Sequence, residues 1–157
     1  MTISRRALTL LSVPALSAAA LIGGASAANA AEGDVQFTNA AGDVRCDVVM
    51  TQNDPHVICV SDGARQTMPE CNPPEEKIPA VIVSGNGPGV VGCWNQGLVG
   101  EKQALGAGQL GNAHGITVFA DPMGGLHVLS GSLNYVAYAG PSTVGNNPTA
   151  MSSQLSS

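Results

Sequence analysis

The chain has 157 residues, enough for one ordinary domain, and carries six basic residues against 11 acidic ones, a formal net charge of −5. It has no basic stripe of the kind that neutralises nucleic-acid phosphates, and the same deficit disfavours an anionic membrane surface. Aromatic residues make up only 3%, so a small core must come largely from Val, Ile, Leu and Ala, with cross-links compensating.

Arg5 and Arg6 precede an apolar run from Ala7 to Ile22 and then a small-residue stretch, GGASAANAAEG. That order is the n-region, h-region and cleavage site of a secretory signal, so residues 1–30 read as a signal peptide cleaved after Ala30, with Ala27 as the alternative. The adjacent arginines also fit a twin-arginine signal, and the general and twin-arginine routes both stay open. A membrane anchor is disfavoured because the run falls short of about 18 clean apolar residues and contains Ser12, Pro14 and Ser17. Removing the leader leaves four basic residues, Arg45, Arg65, Lys77 and Lys102, against the 11 acidic ones.

Val35 to Thr38 alternates apolar and polar, which predicts a strand with Val35 and Phe37 inward. After the turn Asn39 to Gly42, two apolar-rich runs, Val44 to Met50 and Val57 to Val60, flank the turn-forming cluster Gln52-Asn53-Asp54-Pro55 and predict a β-hairpin. If the turn centres between Gln52 and Asn53, Cys46 faces Cys59 across the ladder. Cys46, Val48 and Met50 then share one face, while Arg45 and Asp47 point from the other, which predicts a sheet with one wet face.

The stretch from Asp62 to Pro79 reads as a long loop with Pro69, Pro73, Pro74 and Pro79 and the cluster Glu75-Glu76-Lys77. Long ordered loops are often functional, and Met68, Pro69, Glu70, Asn72, Pro73 and Pro74 form the candidate interaction loop. Ala80 to Val83 and Val90 to Trp94 predict short strands, separated by a glycine-rich turn. Val99 to Leu110 is the single weak helical candidate, undermined by Gly100, Gly106 and Gly108. Ile116 to Ala120 and Leu126 to Ser130, joined by Asp121 to Gly125, predict a second hairpin. Asn134 to Ala139 predicts a last strand. From Gly140 the composition is too poor in apolar residues to bury a face, which predicts a disordered tail over residues 140–157. The fold expected is therefore all-β, a small disulfide-stabilised sandwich or barrel built from hairpins over residues 31–139.

All four cysteines, Cys46, Cys59, Cys71 and Cys93, lie beyond the leader. An even count in an exported chain implies two disulfides. Three connectivities are open, and the local pairs Cys46–Cys59 and Cys71–Cys93 are preferred, each contributing about 3 kcal/mol on the chain-entropy model.

From Phe37 to Cys46, reading Phe-Thr-Asn-Ala-Ala-Gly-Asp-Val-Arg-Cys, the chain resembles small secreted actinobacterial proteins with a domain of unknown function. Their opening is Phe-x-Ser-Pro-Ser-Gly-Asn-Ile-x-Cys at the same spacing. Val57-Ile58-Cys59, Cys71, Cys93, the stretch Leu105 to Gln109, and Gly115 to Val118 with Gly124-Gly125 are similar to later features of that group. The resemblance spans roughly Phe37 to Tyr138. Asn39-Ala40-Ala41 departs from the Ser-Pro-Ser of the group, and Val118 stands where one cysteine of a third pair would be. The resemblance implies a β-rich, disulfide-linked exported domain and no activity.

No catalytic motif is recognised. His56, His114 and His127 form no short ligand spacing with one another or with a cysteine, and no cysteine pair has zinc spacing, so no metal and no cofactor are expected. Val83-Ser84-Gly85-Asn86-Gly87 lacks the first glycine of a serine-hydrolase elbow, and the glycines after Ser84 lack the Lys-Ser/Thr of a phosphate loop. The expectation is a secreted, non-catalytic binding or interaction module at the cell envelope, a monomer whose partner is an extracellular or wall-associated protein or ligand. The alternative is a secreted inhibitor of an extracellular hydrolase, a protease or a lysozyme, acting through the proline-containing loop.

Overall fold

The first hairpin organises the molecule. In the structure, a computed structural model that describes residues 33–85, 87–130 and 134–146, β2 (Val44–Thr51) and β3 (Asp54–Ser61) pair antiparallel with Cys46 opposite Cys59. Gln52 and Asn53 both take positive φ, 53° and 71°, as a two-residue turn requires if its twist is to match the strands. The register is the one expected.

Strands β1 (Val35–Asn39), β4 (Ile78–Ser84), β5 (Val90–Trp94) and β6 (Glu101–Leu105) complete a six-stranded sheet in the order β5-β4-β3-β2-β1-β6. Every neighbour pair is antiparallel except β1 with β6, which is parallel. A short 3-10 turn, Gly63–Gln66, follows β3. A five-stranded antiparallel sheet, β11-β10-β9-β8-β7, contains β7 (Leu110–Ala113), β8 (Ile116–Ala120), β9 (Leu126–Leu129), β10 (Tyr135–Gly140) and β11 (Thr143–Gly145).

The two sheets form a sandwich. Its core joins Val35, Phe37, Val44, Cys46, Val48, Val57, Cys59, Val81 and Val83 to Ile116, Val118, Leu126, Val128, Ala137 and Ala139. Small residues let the sheets approach: at Gly111 on β7 an added Cβ would overlap the Phe37 ring. Polar ties cross between the sheets as well. The buried Asn39 side chain donates to Gly124 O (2.8 Å) and Asp43 Oδ1 (2.7 Å), and its Oδ1 accepts Gly42 N–H. Ser61 Oγ donates to Gly140 O at 2.6 Å.

Three expectations are corrected. Val99 to Leu110 is not helical: it gives β6, a turn closed by Gly106 N–H on Gln109 Oε1 (2.7 Å), and the start of β7. Gly100 explains part of this. A Cβ there would lie 2.5 Å from the Val35 carbonyl carbon and 2.7 Å from Asp47 Oδ1, so the chain runs too close to β1 for a helix to fit. The tail expected from Gly140 is not structureless at its start, because β10 reaches Gly140 and β11 pairs with it, burying Val144. Thr67 Oγ1 holds the turn between them by donating to Ser142 O (2.9 Å). The face expected to be wet is half covered: Asp47 is 2% exposed, because residues 94–100 fold back over it. The leader over residues 1–30 and the end of the tail, 147–157, lie outside the described residues.

Candidate functional site

The outer face of the six-stranded sheet carries the candidate site. Strand alternation puts Gln36 on β1, Arg45, Asp47 and Val49 on β2, Ile58 and Val60 on β3, Ala80 and Ile82 on β4, Trp94 on β5 and Lys102 on β6 toward the same side. The pairings align them: Gln36 stands opposite Asp47 and Lys102, and Ile78 opposite Trp94. Ile58, Val60 and Ala80 form a second apolar cluster, with Val49, Ile78, Ile82, Trp94 and Leu98 packed on it. Asp47 anchors the covering segment: its Oδ2 accepts Val99 N–H at 2.7 Å and its Oδ1 accepts Gly100 N–H at 3.0 Å.

Beside this anchor lies an open depression of about 240 Å³, bounded by Gln36, Arg45, Val60, Trp94, Leu98 and Lys102. Three buried polar atoms there have no hydrogen-bond partner: Gln36 Oε1, Arg45 Nε and Trp94 Nε1. An unsatisfied buried donor or acceptor costs about 1–3 kcal/mol, and native folds keep few of them. All three belong to residues that border this one depression. No carboxylate lines this depression. Arg45 is held in position from its other end, where Nη2 donates to Asp62 Oδ1 and Oδ2 at 3.1 and 3.0 Å. Lys102 is exposed and makes no ion pair among the described residues.

A second depression of about 340 Å³ adjoins the first and shares Arg45, Ile78 and Trp94 with it. Its outer wall is the stretch Pro74 to Lys77, so the candidate interaction loop borders the site through Pro74. Pro69, Glu70, Asn72, Pro73 and Pro74 are exposed, whereas Met68 packs against the core. Cys71 bonds to Cys93 (Cα–Cα 5.4 Å) and pins this loop to β5, one residue from Trp94. The Arg65 guanidinium donates to the Lys77 carbonyl and fixes the same loop to the 3-10 turn. Both expected disulfides are present, and no cysteine is free. They imply an oxidising compartment. No helix of the described residues is long and apolar enough to cross a membrane.

The histidines lie apart from this face's depression and from each other. His56 Nδ1 is 3.4 Å from Ser84 Oγ, and His114 Nε2 is 3.6 Å from Asp34 Oδ1. His127 Nε2–H donates to Asp121 Oδ2 at 2.8 Å, between the rings of Phe119 and Tyr138 on the outer face of the other sheet. Asp121 Oδ1 also accepts Met123 and Gly125 N–H, closing the β8–β9 turn. Burial first, and then the Asp121 carboxylate, push the Tyr138 phenol above its ordinary value. These contacts knit three strands, β8, β9 and β10. Among the described residues, no three His, Cys, Asp or Glu side chains gather as metal ligands would.

The loop was the stretch that sequence pattern singled out. Gln36, Arg45, Trp94 and Lys102 were not, and only two signals pointed to them: Trp94 is the chain's single tryptophan, and the β2 alternation sets Arg45 apart from the core residues. No family model, curated protein or solved structure matches this chain.

Proposed function

We propose that the protein is an exported, non-catalytic binding module of the cell envelope or its surroundings, acting through the outer face of the six-stranded sheet. The carrying observation is the convergence of three unpartnered buried polar atoms, Gln36 Oε1, Arg45 Nε and Trp94 Nε1, on one open depression. A rigid frame supports this reading, since β2–β3 and the loop wall are each cross-linked. Two disulfides and a leader-like N-terminus support export.

The test is affinity capture from the organism's envelope and culture medium with the oxidised protein as bait. Trp94→Ala and Lys102→Ala baits of unchanged melting temperature serve as controls. A ligand or protein retained by the native bait and lost from both variants is the expected result. Equal capture by all three would move the binding surface elsewhere. The exposed, disulfide-pinned loop Pro69 to Pro74 favours hydrolase inhibition as the second reading. Undiminished activity of a panel of proteases and lysozymes in excess protein would remove it.

A further inference from the structure

We infer that the depression between Gln36, Arg45, Trp94 and Lys102 recognises a carboxylated pyranose, a hexuronic acid either free or as one residue of a glycan. This inference rests on the reading of that face as the binding surface and specifies what it takes. The chemistry of the unpartnered atoms sets the ligand. Arg45 Nε–H and Trp94 Nε1–H can only donate, so the ligand brings at least two acceptors. Gln36 Oε1 can only accept, and Gln36, at 3% exposure, borders the depression. The ligand therefore also brings a donor such as a hydroxyl. Lys102 lacks an ion-pair partner among the described residues and no carboxylate lines the depression, so one negative charge is complementary in a chain that is otherwise acidic.

Among the remaining walls Val60, Ile78, Leu98 and the indole of Trp94 are apolar, with Gln96 and Gly97 beside them. The apolar walls suit a flat C–H-bearing face. Hydroxyls, a carboxylate and an apolar face on one ring describe an acidic sugar. A fatty acid lacks the donor, and a neutral sugar lacks the charge. The volume of about 240 Å³ is below the roughly 300–1,000 Å³ of pockets for drug-sized ligands, so one ring is recognised. The adjoining depression leaves room for the chain to continue past Trp94.

Because Trp94 is the chain's single tryptophan, intrinsic fluorescence of the oxidised full protein reads the site directly. Trigalacturonate is the probe, with maltotriose as its neutral counterpart and triglutamate as a non-sugar polyacid. The expected result is a saturable change with trigalacturonate alone. The dissociation constant should rise about tenfold in Lys102→Gln, as loss of a charge-assisted hydrogen bond implies, and should weaken with added salt. An equal response to maltotriose, or an unchanged constant in Lys102→Gln, would overturn recognition of the carboxylate. An equal response to triglutamate would replace the sugar by an acidic peptide. No response to any probe, while envelope capture still depends on Trp94, would reject the ligand class and leave the binding face standing. No response together with Trp94-independent capture would reject both.

Discussion

Asp47 carries a charge into the middle of a sheet face and has both oxygens occupied by backbone N–H groups of another segment, Val99 and Gly100. Hydrogen bonds to an ionised group contribute about 1.5–3 kcal/mol each, and the loss of an acceptor leaves its donors unpaired. Asp47→Ala should therefore lower unfolding stability by about 2–4 kcal/mol, with Asp47→Asn less damaging, as urea melts would show. A midpoint within error of the native protein would mean that residues 94–100 are held by Trp94 and Leu98 packing alone. Tyr138 makes a separate prediction. Its phenol is raised by burial and then by Asp121, so its folded value lies above its unfolded one. The stability it contributes is complete below the unfolded value near 10 and is lost as pH rises through the folded value. Melting temperatures followed upward from about pH 9 should fall, and Tyr138→Phe should flatten that fall. Parallel curves for the two proteins would count against it.

At the scale of elements, legibility tracked how local the information is. The β2–β3 hairpin could be read because Cys46 and Cys59 sit symmetrically about Gln52-Asn53, and a slip of one residue would turn every apolar side chain outward. The β8–β9 hairpin was legible for the same reason, with Asp121 and Gly125 marking its turn. Strand β6 was not, because Glu101-Lys102-Gln103-Ala104-Leu105 buries only its last residue and so shows no alternation. Its conformation comes from parallel pairing with β1, which is distant in sequence. Strand β11 was hidden in a stretch of Gly, Pro and Asn, and it depends on β10 and on Thr67 across the molecule. The site residues were missed by the same logic, since Gln36, Arg45, Trp94 and Lys102 come from four strands and meet only through register. The disulfides act on different elements, and their removal should separate accordingly. Cys46→Ser with Cys59→Ser should cost about 3 kcal/mol globally. Cys71→Ser with Cys93→Ser should in addition speed proteolytic cleavage between residues 66 and 77, read by mass spectrometry of limited digests. Identical digest patterns for the two variants would show that the loop is held by Arg65 and the 3-10 turn instead.

For the whole molecule, the strand order demands long-range pairing: β1 must find β6 as well as β2, and the two sheets must meet face to face. Non-local β topologies fold in milliseconds to seconds because loop closure precedes its reward. Stopped-flow refolding of the oxidised protein should therefore fall in that range, and a microsecond phase carrying the full amplitude would contradict the topology. The cross-links themselves are consecutive along the chain, Cys46 with Cys59 and then Cys71 with Cys93, and neither encloses the other. A chain that emerges from a pore N-terminus first exposes each cysteine's correct partner before any wrong one beyond it. The first pair can close before Cys71 appears, and the second then has no competitor. Exported unfolded in that order, the protein would need an oxidant to mature but no enzyme that reshuffles mispaired bonds. Its yield in an oxidising host should be indifferent to whether a disulfide isomerase is present.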